Sequence, residues 1–159
     1  MALCIAILLQ ASCTSSKAAR VEEYIAEYAD EIITISGLAA EEFTVTPREL
    51  AGLSCVSETV SGSSAKAGTV KGTGPTLATF LAEHGRTPDE FELARFIASD
   101  GYRVTFHEKT LAQGEIILAL TGGSGSLPAS ERPMRLIVPG AESGQWIYAV
   151  RRIEFELKN

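Results

Sequence analysis

Ile32-Ile33-Thr34-Ile35-Ser36-Gly37 and, a few residues on, Phe43-Thr44-Val45-Thr46-Pro47-Arg48-Glu49-Leu50 decide the fold class of this chain. The first stretch is β-branched and closes on a glycine, which is the composition of a strand. Phe43-Thr44-Val45 predicts a second, shorter strand. Thr46 then offers a hydroxyl at a helix N-cap, Pro47 arrives with φ preset for the first helical position, and Glu49 completes a capping box. Two strands and a short helix so close together point to an α+β chain.

Further along, Val56 to Val60 alternates apolar and polar residues like a half-buried strand, and Ser61 to Gly68 reads as a loop or hairpin tip. Pro75 to His84 carries Leu77, Phe80 and Leu81 at helical spacing and stops at Gly85. Strands are expected over Glu92 to Ala98, Tyr102 to Phe106 and Glu115 to Thr121, with Asp100-Gly101 turning between the first two. Gly122 to Ser126 reads as a loop. Arg135 to Val138 and Trp146 to Glu156 complete the strands, split by Pro139-Gly140. The expected architecture is α+β: a mixed, twisted, barrel-like sheet with about three short helices and no second domain.

Upstream, Val21, Ile25 and Tyr28 repeat at helical spacing and predict a short helix after a polar tether, Thr14 to Ala19. Ala2 to Ala11 is a short apolar run, and Ala11-Ser12 sets two small residues before Cys13. Such a run is too short to span a bilayer, which takes about 20 residues. It resembles a bacterial lipoprotein signal: residues 1–13 leave or end as a signal and lipobox, and Cys13 carries lipid. Gln10 and the lack of a basic residue ahead of the run depart from the usual pattern. The expected organisation is thus a signal over 1–13, a tether and helix over 14–29, and one domain over 30–159. Cys4 would leave with the signal, and Cys55 would remain as the mature thiol. Pairing of Cys55 with an unmodified Cys13, or a reactive thiol, stays open.

The 159 residues are 45% hydrophobic and 21% charged, so a core forms without disulfides or metals. A net charge of −6 argues against nucleic acid as a partner, since binding its phosphates needs a basic stripe and none is visible. It also excludes electrostatic adhesion to anionic lipid, leaving an anchor as the route to a membrane.

In order along the chain, several segments resemble the oxidoreductase molybdopterin-binding domain of the sulfite oxidase type. They are the opening strand and helix quoted above, Lys71-Gly72 leading into Leu77 to Leu81, and Ser99-Asp100-Gly101-Tyr102, like the family's S-x-D-G-Y. Pro133-Met134-Arg135-Leu136-Ile137-Val138-Pro139-Gly140 and Trp146 to Glu154 follow. The resemblance covers about residues 30 to 157. It implies the family's fold, a cleft for molybdopterin, a cysteine thiolate on molybdenum, and an arginine at Arg135 that bonds phosphate or pterin. If a pterin is bound, the contacts implied are Arg135, Cys55, Tyr102 and Tyr148.

This chain departs from that pattern and reads as a small member lacking most cofactor ligands. Cys55 lies at the start of its strand, whereas the family's ligand stands at a strand end. It is therefore read as a small half-buried side chain. Trp146 and Tyr148 replace serine and lysine, and Glu131 would repel an anionic cofactor. No counterpart of the family's N-terminal cofactor-contacting segment lies between Cys13 and Ile32. Arg135 is expected to be partly buried and bonded internally, to Asp100, Glu131 or carbonyls of the Gly140 to Gly144 loop.

Other chemistry falls away. His84 reads as a helix C-terminal residue and His107 as a cap, too few for a zinc site. Asp89 and Glu90 read as a helix start, and Gly122-Gly123-Ser124-Gly125 lacks the following Lys-Ser/Thr of a phosphate loop. The expected function is an exported, lipid-anchored binding or accessory module in the periplasm or at the cell surface. No cofactor or metal is expected, and its partners would be the membrane and an unknown protein or small anionic ligand. The alternative is a molybdopterin-dependent oxidoreductase domain using Cys55 and Arg135.

Overall fold

The computed structural model describes residues 12–61, 69–113, 115–140 and 146–158, and side chains from residue 19 onward. The apolar run, the Cys13 side chain and the 62–68 loop lie outside the described residues. The main sheet has five strands in the order β2 (Phe43–Val45), β1 (Ile33–Ser36), β11 (Val150–Leu157), β5 (Phe91–Ala98) and β6 (Arg103–His107). β1 runs parallel to β11 and every other pair is antiparallel. Ile33 and Ile35 face inward by the strand alternation, and both are buried. Gly37 has φ +75, and a Cβ there would run into the Phe155 backbone.

Beside this sheet, β3 (Cys55–Ser61) pairs with β4 (Thr69–Pro75), and β4 pairs with β8 (Thr121–Gly122). β8 turns back on β9 (Gly125–Ser126), so the expected loop over Gly122 to Ser126 is a small hairpin. β7 (Ile117–Ala119), which leads into β8, pairs on its other side with β10 (Arg135–Ile137). Leu120 N donates to Thr73 O at 2.8 Å and Leu77 N to Ile116 O at 2.7 Å, joining β4 to the β7 segment. The order across the smaller layer is therefore β3, β4, β7/β8, β10. Val56, Val60 and Val70 cover Ile117, Ala119 and Ile137 from one face of the β3–β4 hairpin.

Four helices pack on these sheets: α1 (Ser12–Ile25), α2 (Pro47–Ala51), α3 (Leu77–Glu83) and α4 (Glu108–Ala112). The polar stretch expected to be a tether lies within α1. α2 carries the capping box read from the sequence: Thr46 Oγ1 accepts from Glu49 N at 3.3 Å, and Thr46 N donates to Glu49 Oε2 at 2.7 Å. Asp89 and Glu90 open a short 3-10 turn over Pro88–Glu90, as their position suggested.

The expected barrel does not form among the described residues, where none of the three sheets closes. Closure needs the two edge strands to hydrogen-bond to each other. The edge strand β2 is three residues long and runs straight into α2 at Pro47, whose missing N–H ends any ladder.

The docked part of α1 is fixed by Val21, Ile25 and Tyr28, all buried at 3% exposure or less. Tyr28 Oη donates to Leu120 O at 2.6 Å and accepts from Leu127 N at 3.1 Å. Burial pushes this phenol above the ordinary tyrosine value, with the Leu127 amide opposing. Arg132 stacks 4.8 Å from the Tyr28 ring centroid and pairs with Glu27 at 2.8 Å.

Candidate functional site

The Asp100-Gly101 turn forms as expected. Gly101 takes φ +85, and Asp100 Oδ1 accepts from Tyr102 N at 2.9 Å, an Asx turn that holds the ring of Tyr102 outward. Facing it, residues 146–150 are stitched between two elements. Leu136 N donates to Ile147 O at 2.9 Å, Val150 N to Met134 O at 2.9 Å, and Ser99 N to Ala149 O at 2.9 Å. Trp146 is buried and its Nε1 donates to Val138 O at 3.2 Å. Expected as the start of the last strand, this segment is instead irregular, and β11 begins only at Val150. The reason lies at Ala149, whose φ of +51 breaks the extended run.

Between the turn and this segment lies a cleft of about 550 Å³. Its walls include Ser99, Asp100, Tyr102, Ser130 and Tyr148, over a floor that includes Trp146 and Ile147. Tyr102 is 53% exposed and Tyr148 43%, so both rings stand on the rim. Asp100 is the charged residue in the described lining, and no lysine or arginine is part of it.

Arg135 sits beneath the Tyr148 ring, its guanidinium carbon 4.6 Å from the centroid. Its side chain is 8% exposed, and Nη1 donates to Glu131 Oε2 at 2.6 Å. Of the expected internal partners, Glu131 bonds it and Asp100 serves the turn, while residues 141–144 of the third lie outside the described residues. Glu131 ends the 3-10 turn Ala129–Glu131, four residues before Arg135 at the start of β10. Arg135 Nε is buried without a partner among the described residues.

The structure thus sets Tyr102 and Tyr148 on one cleft, with Arg135 packed beneath the Tyr148 ring outside its described lining, and leaves Cys55 elsewhere. Cys55 opens β3 opposite Pro75, and β3 is separated from β10 by β4 and β7. Three strand spacings at about 4.8 Å put the two strands roughly 14 Å apart. The half-buried thiol donates to Leu53 O at 3.5 Å. Cys55→Ser is expected to cost at most about 1–2 kcal/mol in a denaturant melt. Loss of a bound metal or an optical band on this change would refute that role.

A molybdopterin would need a thiolate at the metal and cations for its phosphate. These residues do not fit it: the thiol is strands away, the guanidinium already faces a carboxylate, and the cleft lining is acidic. His84 caps the C-terminus of α3 between Phe43 and Phe80, at centroid distances of 5.1 and 4.9 Å. His107 stands at the N-cap of α4, where its side chain makes no capping bond. Among the described residues no group of three His, Cys, Asp or Glu side chains is placed to hold a metal. Sequence reasoning missed Trp146 and Ile147 as the cleft floor, because the aromatic and β-branched run from Trp146 to Val150 has the composition of a strand.

The α+β fold with mixed sheets belongs to a class already seen in solved structures. A chain of the sulfane dehydrogenase SoxCD from Paracoccus pantotrophus superposes with a TM-score of 0.68 at 21% identity. The match covers 82% of this chain and 39% of that one, so this chain spans well under half of its neighbour. No protein-family description and no curated protein matches the sequence.

Proposed function

We propose that the chain is an exported, lipid-anchored binding or accessory module with a molybdopterin-binding-domain-like fold and no molybdenum chemistry. One observation carries this reading. The arginine that the resemblance assigns to the cofactor is engaged by Glu131 at 2.6 Å, beside a cleft whose described lining carries Asp100 and no cation. A dianionic phosphate there would meet a carboxylate and a neutralised guanidinium. The likeness to a SoxCD chain supports the fold part of the proposal. The apolar run before Cys13 supports the anchor.

Two measurements test it. Elemental analysis of the purified protein, with a pterin fluorescence assay, is expected to find far less than one molybdenum per chain. Near-stoichiometric metal would overturn the proposal in favour of an oxidoreductase domain using Cys55 and Arg135. Separately, Cys13→Ala should move the protein out of the membrane fraction of its host. Identical partitioning of the two forms would end the lipid-anchor proposal.

That Arg135 Nε has no partner among the described residues favours one second reading: a small anionic ligand by the Tyr102–Tyr148 rim that completes the guanidinium's bonds.

A further inference from the structure

A second cleft, of about 360 Å³, lies on the other side of the molecule's small layer, between α1 and the β3–β4–β8 strands. Strand alternation builds it. Ser57 on β3 and Lys71 and Thr73 on β4 share the face opposite Val56 and Val70, which point into the apolar cluster. The β8–β9 hairpin closes one side, its Gly123 packing against Lys71: a Cβ on Gly123 would lie 3.4 Å from that of Lys71. Arg20 and Tyr24, four apart on α1, close the other. Ser126 Oγ donates to Tyr24 O at 2.6 Å, and Gly125 lies against the Tyr24 ring, so helix and hairpin hold each other in place.

The charge pattern of this cleft runs against that of the chain. In a protein of net charge −6, every described arginine from Arg48 to Arg152 except Arg103 holds a carboxylate. Arg20 and Lys71 hold none among the described residues, and no Asp or Glu is in the described lining. Ser57 and Thr73 hydroxyls bond to each other at 2.7 Å. One of the pair donates, so the other keeps a proton to give outward. Glycines at 122, 123 and 125 leave the hairpin backbone open to close approach.

From these features we propose that this cleft binds a phosphate monoester. A planar guanidinium fork, a mobile ammonium and a hydroxyl donor suit the oxygens of a tetrahedral dianion. The cleft is larger than a bare anion needs, and the Tyr24 ring supplies an apolar wall for the ester's organic part. The site is separate from the Tyr102–Tyr148 cleft and independent of what binds there.

Calorimetric titration at low ionic strength and pH 8, with phenyl phosphate and with inorganic phosphate, tests the assignment. One saturable site is expected, with phenyl phosphate the tighter probe. Arg20→Gln and Lys71→Gln should each weaken it about five- to tenfold, as for loss of one partly exposed ion pair. Both side chains are exposed, so these variants should fold like the parent. Arg103→Gln, which removes an exposed cation elsewhere, should leave affinity unchanged. Absence of saturable binding, indifference to Arg20→Gln and Lys71→Gln, or equal weakening by Arg103→Gln would overturn the site. Tighter binding of inorganic phosphate than of phenyl phosphate would overturn the ester assignment.

Discussion

Gly74→Ala is expected to destabilise the protein by about 3 kcal/mol or more, a fall in melting temperature of roughly 6–12 °C for a chain of this size. Gly74 lies in β4 where that strand crosses β7, and a Cβ there would land on the carbonyl oxygen of Leu118. It would also come within 3.0 Å of the Ala119 Cα. Both obstacles are backbone, so no rotamer change relieves them. The strands would have to part, straining the Leu120 to Thr73 bond that joins the layer. Gly85→Ala is the control. Gly85 has φ +69 but nothing within 4 Å of its Cβ position, so its cost should stay near 1 kcal/mol. Equal melting temperatures for Gly74→Ala and the parent would contradict the close crossing of β4 and β7.

Arg135→Ala should cost about 2–4 kcal/mol, because it strips the partner from a largely buried carboxylate. Glu131 is 21% exposed at its side chain, too little for water to replace a 2.6 Å bond fully. Removing both members, Arg135→Ala with Glu131→Ala, should be milder than the sum of the single changes. Thermal melts of the single and double variants read this directly. An unshifted melting temperature for Arg135→Ala would sink the structural role of the pair and favour a guanidinium held for a ligand.

Where one local signal decided the outcome, the sequence was legible. Thr46-Pro47-Arg48-Glu49 specifies its helix start by cap chemistry alone, and Asp100-Gly101 specifies its turn by side-chain acceptance and a permissive φ. Arg135's burial with an internal partner was expected from its apolar-flanked strand and the family resemblance. Which of the three expected partners would hold it was not legible, and Glu131 does. Other features depended on distant partners. β4 carries Gly72 and Gly74, which weaken any strand reading, yet those glycines are there because β7 passes so close. Trp146 to Val150 has the aromatic and β-branched composition of a strand, but the positive φ of Ala149 interrupts the extended run before β11 begins. The second cleft was invisible because Arg20, Lys71 and the glycine-rich hairpin are far apart in the chain, and only the docking of Tyr24 on Gly125 brings them together. Gly122-Gly123-Ser124-Gly125 lacks the helix and Lys-Ser/Thr of a phosphate loop, and turns a hairpin instead.

The place of β11 in the main sheet bears on when this protein can fold. It is flanked by β1 on one side and β5 on the other, so it joins two strands that both lie far from it in the sequence. Without β11, β1 and β5 have no common neighbour in the sheet. Pairing Thr34 with Arg152 also closes a loop of most of the chain, which is slow and gains nothing until both ends are present. Local pairings such as β3–β4 and β5–β6 are therefore expected to form before the main sheet is complete.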